Sequence, residues 1–184
     1  MSRTCFLLAS LLLATHAAAA EIVRADLDHE GSRYRVDFEA RLTAQAASVR
    51  TLLSDYDGLA RLSDTVVDSR LLPALAGPPR VRIVQRACVL FFCRTLTRVM
   101  SVESHPDGDV LTLAEPQTSD YLEVREHWQV ATRPEGTHVR YRAQFIPRFF
   151  VPPLIGPWLI KSRLRAELEA TAARIEVLGA RDDH

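Results

Sequence analysis

The chain carries, close to its C-terminal end, the apolar and proline-rich stretch FIPRFFVPPLIGPWLI at residues 145–160. Four prolines and one glycine interrupt this stretch, whereas a membrane-spanning helix needs about 20 unbroken apolar residues. The charged segment that follows has apolar residues at every third or fourth position: Leu164, Leu168, Ala172, Ile175 and Leu178. This spacing predicts a long helix over about residues 153–178. The end of the chain is therefore expected to cover its own core, an apolar ligand or a membrane.

The rest of the chain is dominated by strand patterns. Alternating sequences rich in β-branched residues predict strands at about 22–27, 33–42, 66–72, 81–88, 93–104, 110–115, 121–131 and 137–145. Thr43 is expected to cap a helix over residues 44–54, and a second short helix is expected at about residues 59–64. The predicted order is thus two strands, two short helices, a long antiparallel run and a final long helix.

The N-terminus has the composition of a secretory leader. Arg3 is followed by an apolar run from Phe6 to Ala14 and by small residues up to Ala20, as in a signal peptide that is cleaved before Glu21. We expect residues 1–20 to be this signal peptide and residues 21–184 to form a single periplasmic or secreted domain. The chain has 23 basic and 23 acidic residues, and this balance argues against nucleic acid as a partner.

Two cysteines follow the leader, Cys88 and Cys93, at the facing ends of two predicted strands. In an oxidising compartment we expect them to form a disulfide, and two reduced buried thiols are the alternative. No metal or cofactor is expected, since two cysteines without a matching pair of histidines do not make a metal site. The intervening loop VLFF lacks the usual turn residues. It folds under a neighbouring element, or the strands extend further and the turn lies elsewhere, or it forms an apolar tip, containing Phe91 and Phe92, at a cavity mouth or on a membrane.

Several local motifs occur in the same order as the predicted elements. They are YRVDFEA at 34–40 leading into ASVRTLLSDY at 47–56, EHWQV at 126–130 followed by GTHVRY at 136–141, and PPLIG at 152–156. With these motifs the chain resembles the START-like (SRPBCC, helix-grip) superfamily, within its polyketide cyclase/dehydrase and coenzyme Q-binding group. The resemblance implies an α+β helix-grip fold, in which a curved antiparallel β-sheet wraps around a long C-terminal helix and two short helices follow the first strands. It also implies an apolar ligand between sheet and helix, but no single activity, because the superfamily contains lipid carriers, quinone-binding proteins and aromatase/cyclases.

Strand alternation predicts which side chains face the space between sheet and helix. Pairing Cys88 with Cys93 places Val81, Ile83, Gln85 and Ala87 on one face with Leu96, Arg98, Met100 and Val102. In the next strand pair, one face carries Leu122, Val124, Glu126, Trp128 and Val130, and another carries Val139, Tyr141, Ala143 and Phe145. The resulting candidate ligand-binding residues are Ile83, Gln85, Leu96, Arg98, Met100, Val124, Glu126, Trp128, Tyr141 and Trp158.

The charged side chains on these faces need partners, because burying an unpaired charge is costly. Arg98 and Glu126 either pair with each other, or Arg98 binds an anionic headgroup with help from Tyr141 or Gln85. A register shift of one residue would instead place both charges in solvent. Tryptophans such as Trp128 and Trp158 are more often core aromatics than ligand platforms. We find no nucleophile, nucleotide-binding or zinc-protease motif.

Three functions are compatible with this sequence. The leading hypothesis is a non-enzymatic carrier of an apolar, lipid- or isoprenoid-like molecule. The second is a cyclase- or dehydrase-type enzyme with Glu126 or Tyr141 as acid or base. The third is an interaction module with a filled cavity, in which Phe91, Phe92, Phe149 and Phe150 contact a membrane or a partner. The basic residues 161–165 form either a solvated helix face, with Arg165 paired to Glu169, or a contact to anionic lipid.

Overall fold

The computed structural model describes residues 19–73, 77–89, 92–106, 108–152, 154 and 156–182. In these residues eight strands form one antiparallel sheet: β1 (Glu21–Glu30), β2 (Arg33–Leu42), β3 (Val66–Leu72), β4 (Arg80–Val89), β5 (Phe92–Ser104), β6 (Val110–Ala114), β7 (Tyr121–Arg133) and β8 (Gly136–Pro147). Their order across the sheet is β1-β2-β8-β7-β6-β5-β4-β3. Helix α1 (Ala46–Ser54) and a 3₁₀ helix (Leu59–Arg61) lie between β2 and β3, a second 3₁₀ helix (Pro116–Thr118) lies between β6 and β7, and helix α2 (Gly156–Asp182) follows β8.

The predicted α+β helix-grip architecture is confirmed. A curved antiparallel sheet faces a long C-terminal helix, and the predicted strands are present with small changes of boundary. The second short helix is a single 3₁₀ turn rather than the longer helix expected at 59–64. Helix α2 begins at Gly156 and continues past Leu178 to Asp182, while Pro153 lies outside the described residues.

The prediction that Thr43 caps α1 is wrong. The helix begins at Ala46, so Gln45 occupies the N-cap position and Thr43 lies too early in the chain. The N–H of Thr43 instead donates a hydrogen bond of 2.8 Å to Oε2 of Glu176, and its hydroxyl donates to Oε1 of the same carboxylate. The charged carboxylate of Glu176 accepts stronger hydrogen bonds than a neutral acceptor would. Thr43 therefore joins the start of the α1 segment to α2.

The buried residues form two clusters, and α2 packs on only one of them. The first cluster includes Phe38 of β2, Val49 of α1 and Ile175 of α2. The second contains Val66, Val81, Ile83, Met100, Val102 and Val124. Among the described residues, no buried side chain of α2 belongs to this second cluster. The first half of α2 therefore leaves space above strands β3 to β7.

The described helices, including the 27-residue α2, all lack the continuous apolar sequence that crossing a bilayer requires.

Candidate functional site

A cavity of about 300 Å³ lies between strands β3 to β7 and the first half of α2. The sheet supplies mainly apolar side chains, such as Ile83, Leu96 and Val124. Helix α2 contributes Ile160, Leu164, Leu168 and Thr171, and the segment between α1 and β3 contributes Tyr56, Leu59 and Leu62. This volume lies at the lower end of the range of about 300–1,000 Å³ for small-molecule sites.

Nine of the ten predicted ligand-binding residues line this cavity: Ile83, Gln85, Leu96, Arg98, Met100, Val124, Glu126, Trp128 and Tyr141. Their role in binding a ligand stays a prediction. Trp158 is not among the lining residues, and its side chain is 68% exposed. Ile160, Leu164 and Leu168 face the cavity at a spacing of four residues, and Trp158 lies about 200° around the helix from Ile160. The structure therefore does not place Trp158 in the wall of this cavity, where the sequence predicted it.

The register of the β4–β5 hairpin is the one that the cysteines predicted. Ile83 lies opposite Arg98, Gln85 opposite Leu96, and Cys88 opposite Cys93. Cys88 and Cys93 form a disulfide with 4.0 Å between their Cα atoms, and Cys88 also lines the cavity. Phe91 and the side chain of Phe92 lie outside the described residues.

One predicted face of β7 is shifted by a bulge. The pairing of β7 with β8 changes register between Tyr121 and Glu123, because an extra residue on one strand interrupts the alternation. Leu122, which was expected to face inwards with Val124, is 51% exposed. Tyr121 lines the cavity in its place. The ring of Tyr121 also packs edge-on against Phe145 and Phe149, with centroids 6.1 and 6.3 Å apart.

A buried polar cluster lies within this apolar lining. Nη1 of Arg98 donates a hydrogen bond of 3.0 Å to Oε1 of Glu126, and the hydroxyl of Tyr141 donates to the same oxygen at 2.8 Å. The hydroxyl of Thr112 donates to Oε2 at 3.1 Å. The four residues come from β5, β7, β8 and β6, which are neighbours in the sheet. Of the sequence-based alternatives, direct pairing of Arg98 with Glu126 is the one observed.

The cluster leaves one donor unused within the described part of the chain. Nε of Arg98 is buried and has no hydrogen-bond partner, although its side chain lines the cavity. A buried N–H of this kind is costly unless a ligand or a water molecule accepts from it. The cavity therefore offers a polar anchoring point at Arg98 on a mainly apolar wall.

Burial and charge shift the pKa values of this cluster. Burial raises the pKa of Tyr141 well above its usual value, and the negative charge of Glu126 raises that pKa further. Burial also raises the pKa of Tyr121. For Arg98, burial is the largest single influence and would lower the pKa, but the charge and hydrogen bond of Glu126 together with the nearby Tyr141 and Tyr121 outweigh it, and the pKa ends above its usual value. At neutral pH both phenols are thus protonated and Arg98 is charged.

All four tyrosines of the chain are expected to ionise at a higher pH than a free tyrosine does. Burial raises the pKa of Tyr34, Tyr56, Tyr121 and Tyr141 above the ordinary value of 10.0. Because the folded state holds these protons more tightly than the unfolded state, their contribution to stability is complete below pH 10.0 and is lost as the pH rises further. We expect phenolate absorbance to appear together with alkaline unfolding. A titration midpoint at or below 10.0 for a tyrosine of the folded protein, with an unchanged circular dichroism spectrum, would contradict these shifts in pKa.

Helix α2 is fastened to the chain on one side of the cavity. Glu167 accepts hydrogen bonds from the hydroxyls of Ser63 and Thr65, the latter at 3.3 Å. Further along the helix, Arg174 pairs with Asp64. Arg163 of α2 is exposed and also lines the cavity. The cavity therefore reaches the surface beside Arg163.

Comparison with protein-family models and with curated proteins finds no match for this chain. Solved structures do match it. A START superfamily protein from Mycobacterium smegmatis has a TM-score of 0.62 at 16% identity, covering 78% of this chain and 98% of that chain. The STAR-related lipid transfer protein from Xanthomonas axonopodis has a TM-score of 0.56 at 18% identity, covering 87% and 99%. The Zhui aromatase/cyclase from Streptomyces sp. R1128 has a TM-score of 0.56 at 16% identity, covering 82% and 93%.

These structures share the architecture of this chain over most of its length. The chain therefore has the START-like helix-grip fold that the order of its motifs predicted. At these levels of sequence identity the comparison supports the fold alone. The narrower resemblance to the polyketide cyclase/dehydrase and coenzyme Q-binding group stays a prediction.

Proposed function

We propose that the protein binds and carries a small, largely apolar molecule between the sheet and α2. The supporting observation is the cavity of about 300 Å³, whose apolar wall is broken by one buried cluster around Arg98 and Glu126. One of the structural neighbours is a lipid transfer protein, so the fold is compatible with this role. An interaction module with a filled cavity is less well supported, since this cavity is open.

The size and polarity of the cavity limit which classes of ligand can bind. At about 30 Å³ for each water-sized group, the cavity holds on the order of ten such groups. A short acyl chain, an isoprenoid unit or a small ring system fits this volume, whereas a two-chain lipid does not. The free Nε of Arg98 selects a ligand with a hydroxyl, carbonyl or carboxylate oxygen at its buried end.

The carrier is further proposed to work in the periplasm or outside the cell, at a membrane surface where an apolar ligand is available. The composition of residues 1–20 supports export. The disulfide between Cys88 and Cys93 is compatible with an oxidising compartment. Sequencing the N-terminus of protein from the periplasmic fraction tests this location, and Glu21 is the expected first residue.

Native mass spectrometry tests the carrier function directly. Protein purified without detergent should carry a defined apolar adduct, which solvent extraction removes. A ligand-free mass, together with no uptake of fatty acids or isoprenoid alcohols offered at saturating concentration, would contradict the proposal.

A larger side chain at Leu164 is expected to exclude the ligand from the cavity. Leu164 lines the cavity from α2, so Leu164→Trp places an indole ring in the space that the ligand would occupy. We expect at least about a tenfold loss of bound ligand, since each buried CH₂ displaced from the wall contributes about 0.8 kcal/mol. Ser162→Trp is the matched control, because Ser162 is exposed on the same helix. Equal ligand content in the two variants would place the ligand elsewhere.

A cyclase- or dehydrase-type enzyme is the second candidate. The observation that favours it is the hydroxyl of Tyr141 at 2.8 Å from Glu126 inside an apolar cavity. The carrier is preferred because Glu126 already accepts three hydrogen bonds, and because the raised pKa of Tyr141 keeps its hydroxyl protonated at neutral pH, so that it is a weak acid and is not available as a base. Incubation with the extracted ligand separates the two functions: a carrier returns it with unchanged mass, and an enzyme does not.

A further inference from the structure

The segment that leads into α2, together with the first turn of that helix, leaves three large apolar side chains in solvent. Phe150 is 82% exposed, Leu154 93% and Trp158 68%. These are the highest values for large apolar residues in the described part of the chain, and all three lie within residues 150–158. Single exposed apolar residues are common on protein surfaces, whereas a group of this kind indicates an interaction site.

The same segment is cationic, although the whole chain is neutral. Residues 148–166 contain Arg148, Lys161, Arg163 and Arg165 and no acidic residue. Arg165 pairs with Glu169 at 2.9 Å, but within the described ranges Lys161 and Arg163 have no acidic partner. We call Phe150, Leu154, Trp158, Lys161 and Arg163 the aromatic-basic patch.

The aromatic-basic patch borders the opening of the cavity. Phe149, Ile160 and Arg163 line the cavity, while their neighbours Phe150 and Trp158 are exposed. The guanidinium of Arg94 lies 5.2 Å from the ring centroid of Phe149 and adds another cation beside the patch. A surface that binds this patch would therefore meet the cavity opening.

We infer that the aromatic-basic patch docks on the surface of an anionic lipid bilayer. Trp, Phe and Leu side chains enter the headgroup region of a bilayer, and neighbouring Lys and Arg side chains meet anionic headgroups. Lys161 lies three residues after Trp158 on α2, so its ammonium can reach the headgroups while the indole is inserted. Protein–protein interfaces are also enriched in Trp, Phe and Arg, but Lys is depleted in them, and the cationic segment 148–166 without any acidic residue favours an anionic bilayer.

Docking at this face would let an apolar ligand move between bilayer and cavity without crossing water. In that respect it rests on the proposed function, but the binding of the patch to lipid is measured without any ligand. A protein that carries ligand but does not bind vesicles would overturn docking alone. A protein that binds vesicles but takes up no ligand would overturn the carrier function alone.

Vesicle flotation of the purified protein tests the docking. We expect binding to vesicles of phosphatidylcholine mixed with phosphatidylglycerol, weaker binding to phosphatidylcholine alone, and release of part of the protein at high salt. The triple variant Phe150→Ser, Leu154→Ser, Trp158→Ser should partition about a hundredfold more weakly into both vesicle types. The double variant Lys161→Glu, Arg163→Glu should bind about tenfold or more weakly to the anionic vesicles, and its binding to phosphatidylcholine alone should be unchanged.

Matched variants elsewhere on the surface control for general effects. Val67 and Leu71 of β3 are 55% and 47% exposed, so Val67→Ser with Leu71→Ser removes apolar surface away from the patch. Arg133→Glu reverses an exposed charge at the opposite end of β7. Both control proteins should float like the parent. Failure of the parent to float with anionic vesicles, or equal flotation of the triple variant, would overturn the docking. A parent that self-associates without binding lipid, and a triple variant that is monomeric, would make the patch an interface between copies.

Discussion

Glu126→Ala is expected to lower the free energy of unfolding by about 3–5 kcal/mol, the cost of removing one partner from a buried ion pair. The substitution leaves the charge of Arg98 in the cavity wall without its anion, since Nη1 of Arg98 lies 3.0 Å from Oε1 of Glu126. It also removes the acceptor of the Tyr141 and Thr112 hydroxyls. Glu126 is only 6% exposed, so the lost partner can be replaced only by water inside the cavity. Urea unfolding of the purified variant measures the difference.

Two further variants separate the charge from the loss of volume. Arg98→Met combined with Glu126→Met removes both charges together and should recover most of the stability, because a buried ion pair is often replaced by apolar residues at little cost. Glu169→Ala removes one partner of the exposed Arg165–Glu169 pair and should change the stability by less than about 0.5 kcal/mol. If Glu126→Ala unfolds at the same urea concentration as Glu169→Ala, the ion pair is not buried as described.

The sheet side of the cavity could be predicted because strands obey a local rule. Alternation with period two assigns every residue to a face once the register is known, and the cysteine pair fixes the register of the β4–β5 hairpin. That was enough to bring Arg98 and Glu126 to the same side of the sheet. Thr112 was missed, although it lies opposite Glu126 in the β6–β7 pairing and the same alternation could have found it.

Bulges and long-range contacts follow no such local rule. The bulge at Leu122 exchanges Leu122 for Tyr121 in the cavity wall, and the sequence around it continues to alternate as an undisturbed strand would. The part of the cavity wall formed by α2 and the segment before β3 depends on how α2 packs against the rest of the chain. For that reason the sequence pattern predicts Trp158 in the ligand site, whereas Ile160 of α2 lines the cavity.

The position of α2 depends on contacts between residues far apart in the sequence. Thr43 was expected to cap α1, yet its N–H and hydroxyl both donate to Glu176. Gly179, one helical turn further, lies against Ala44, and a Cβ atom on this glycine would be 2.8 Å from the Cβ of Ala44. The close approach at Gly179 and the buried carboxylate of Glu176 together hold the second half of α2 against the α1 segment. The first half is thereby held at the distance from the sheet that leaves the cavity open.

Glu176→Ala is therefore expected to lower the free energy of unfolding by about 3 kcal/mol, since each buried donor left without an acceptor costs about 1–3 kcal/mol. The carboxylate is 2% exposed and accepts from the N–H groups of Thr43 at 2.8 Å and Ala44 at 3.5 Å. Loosening this contact should also speed hydrogen exchange along α2 and reduce bound ligand, because the helix forms one wall of the cavity. Urea unfolding and hydrogen exchange with mass spectrometry measure both effects, with Glu169→Ala on the same helix as the control. Unchanged exchange in α2 would show that the apolar packing around Ile175 holds the helix without Glu176.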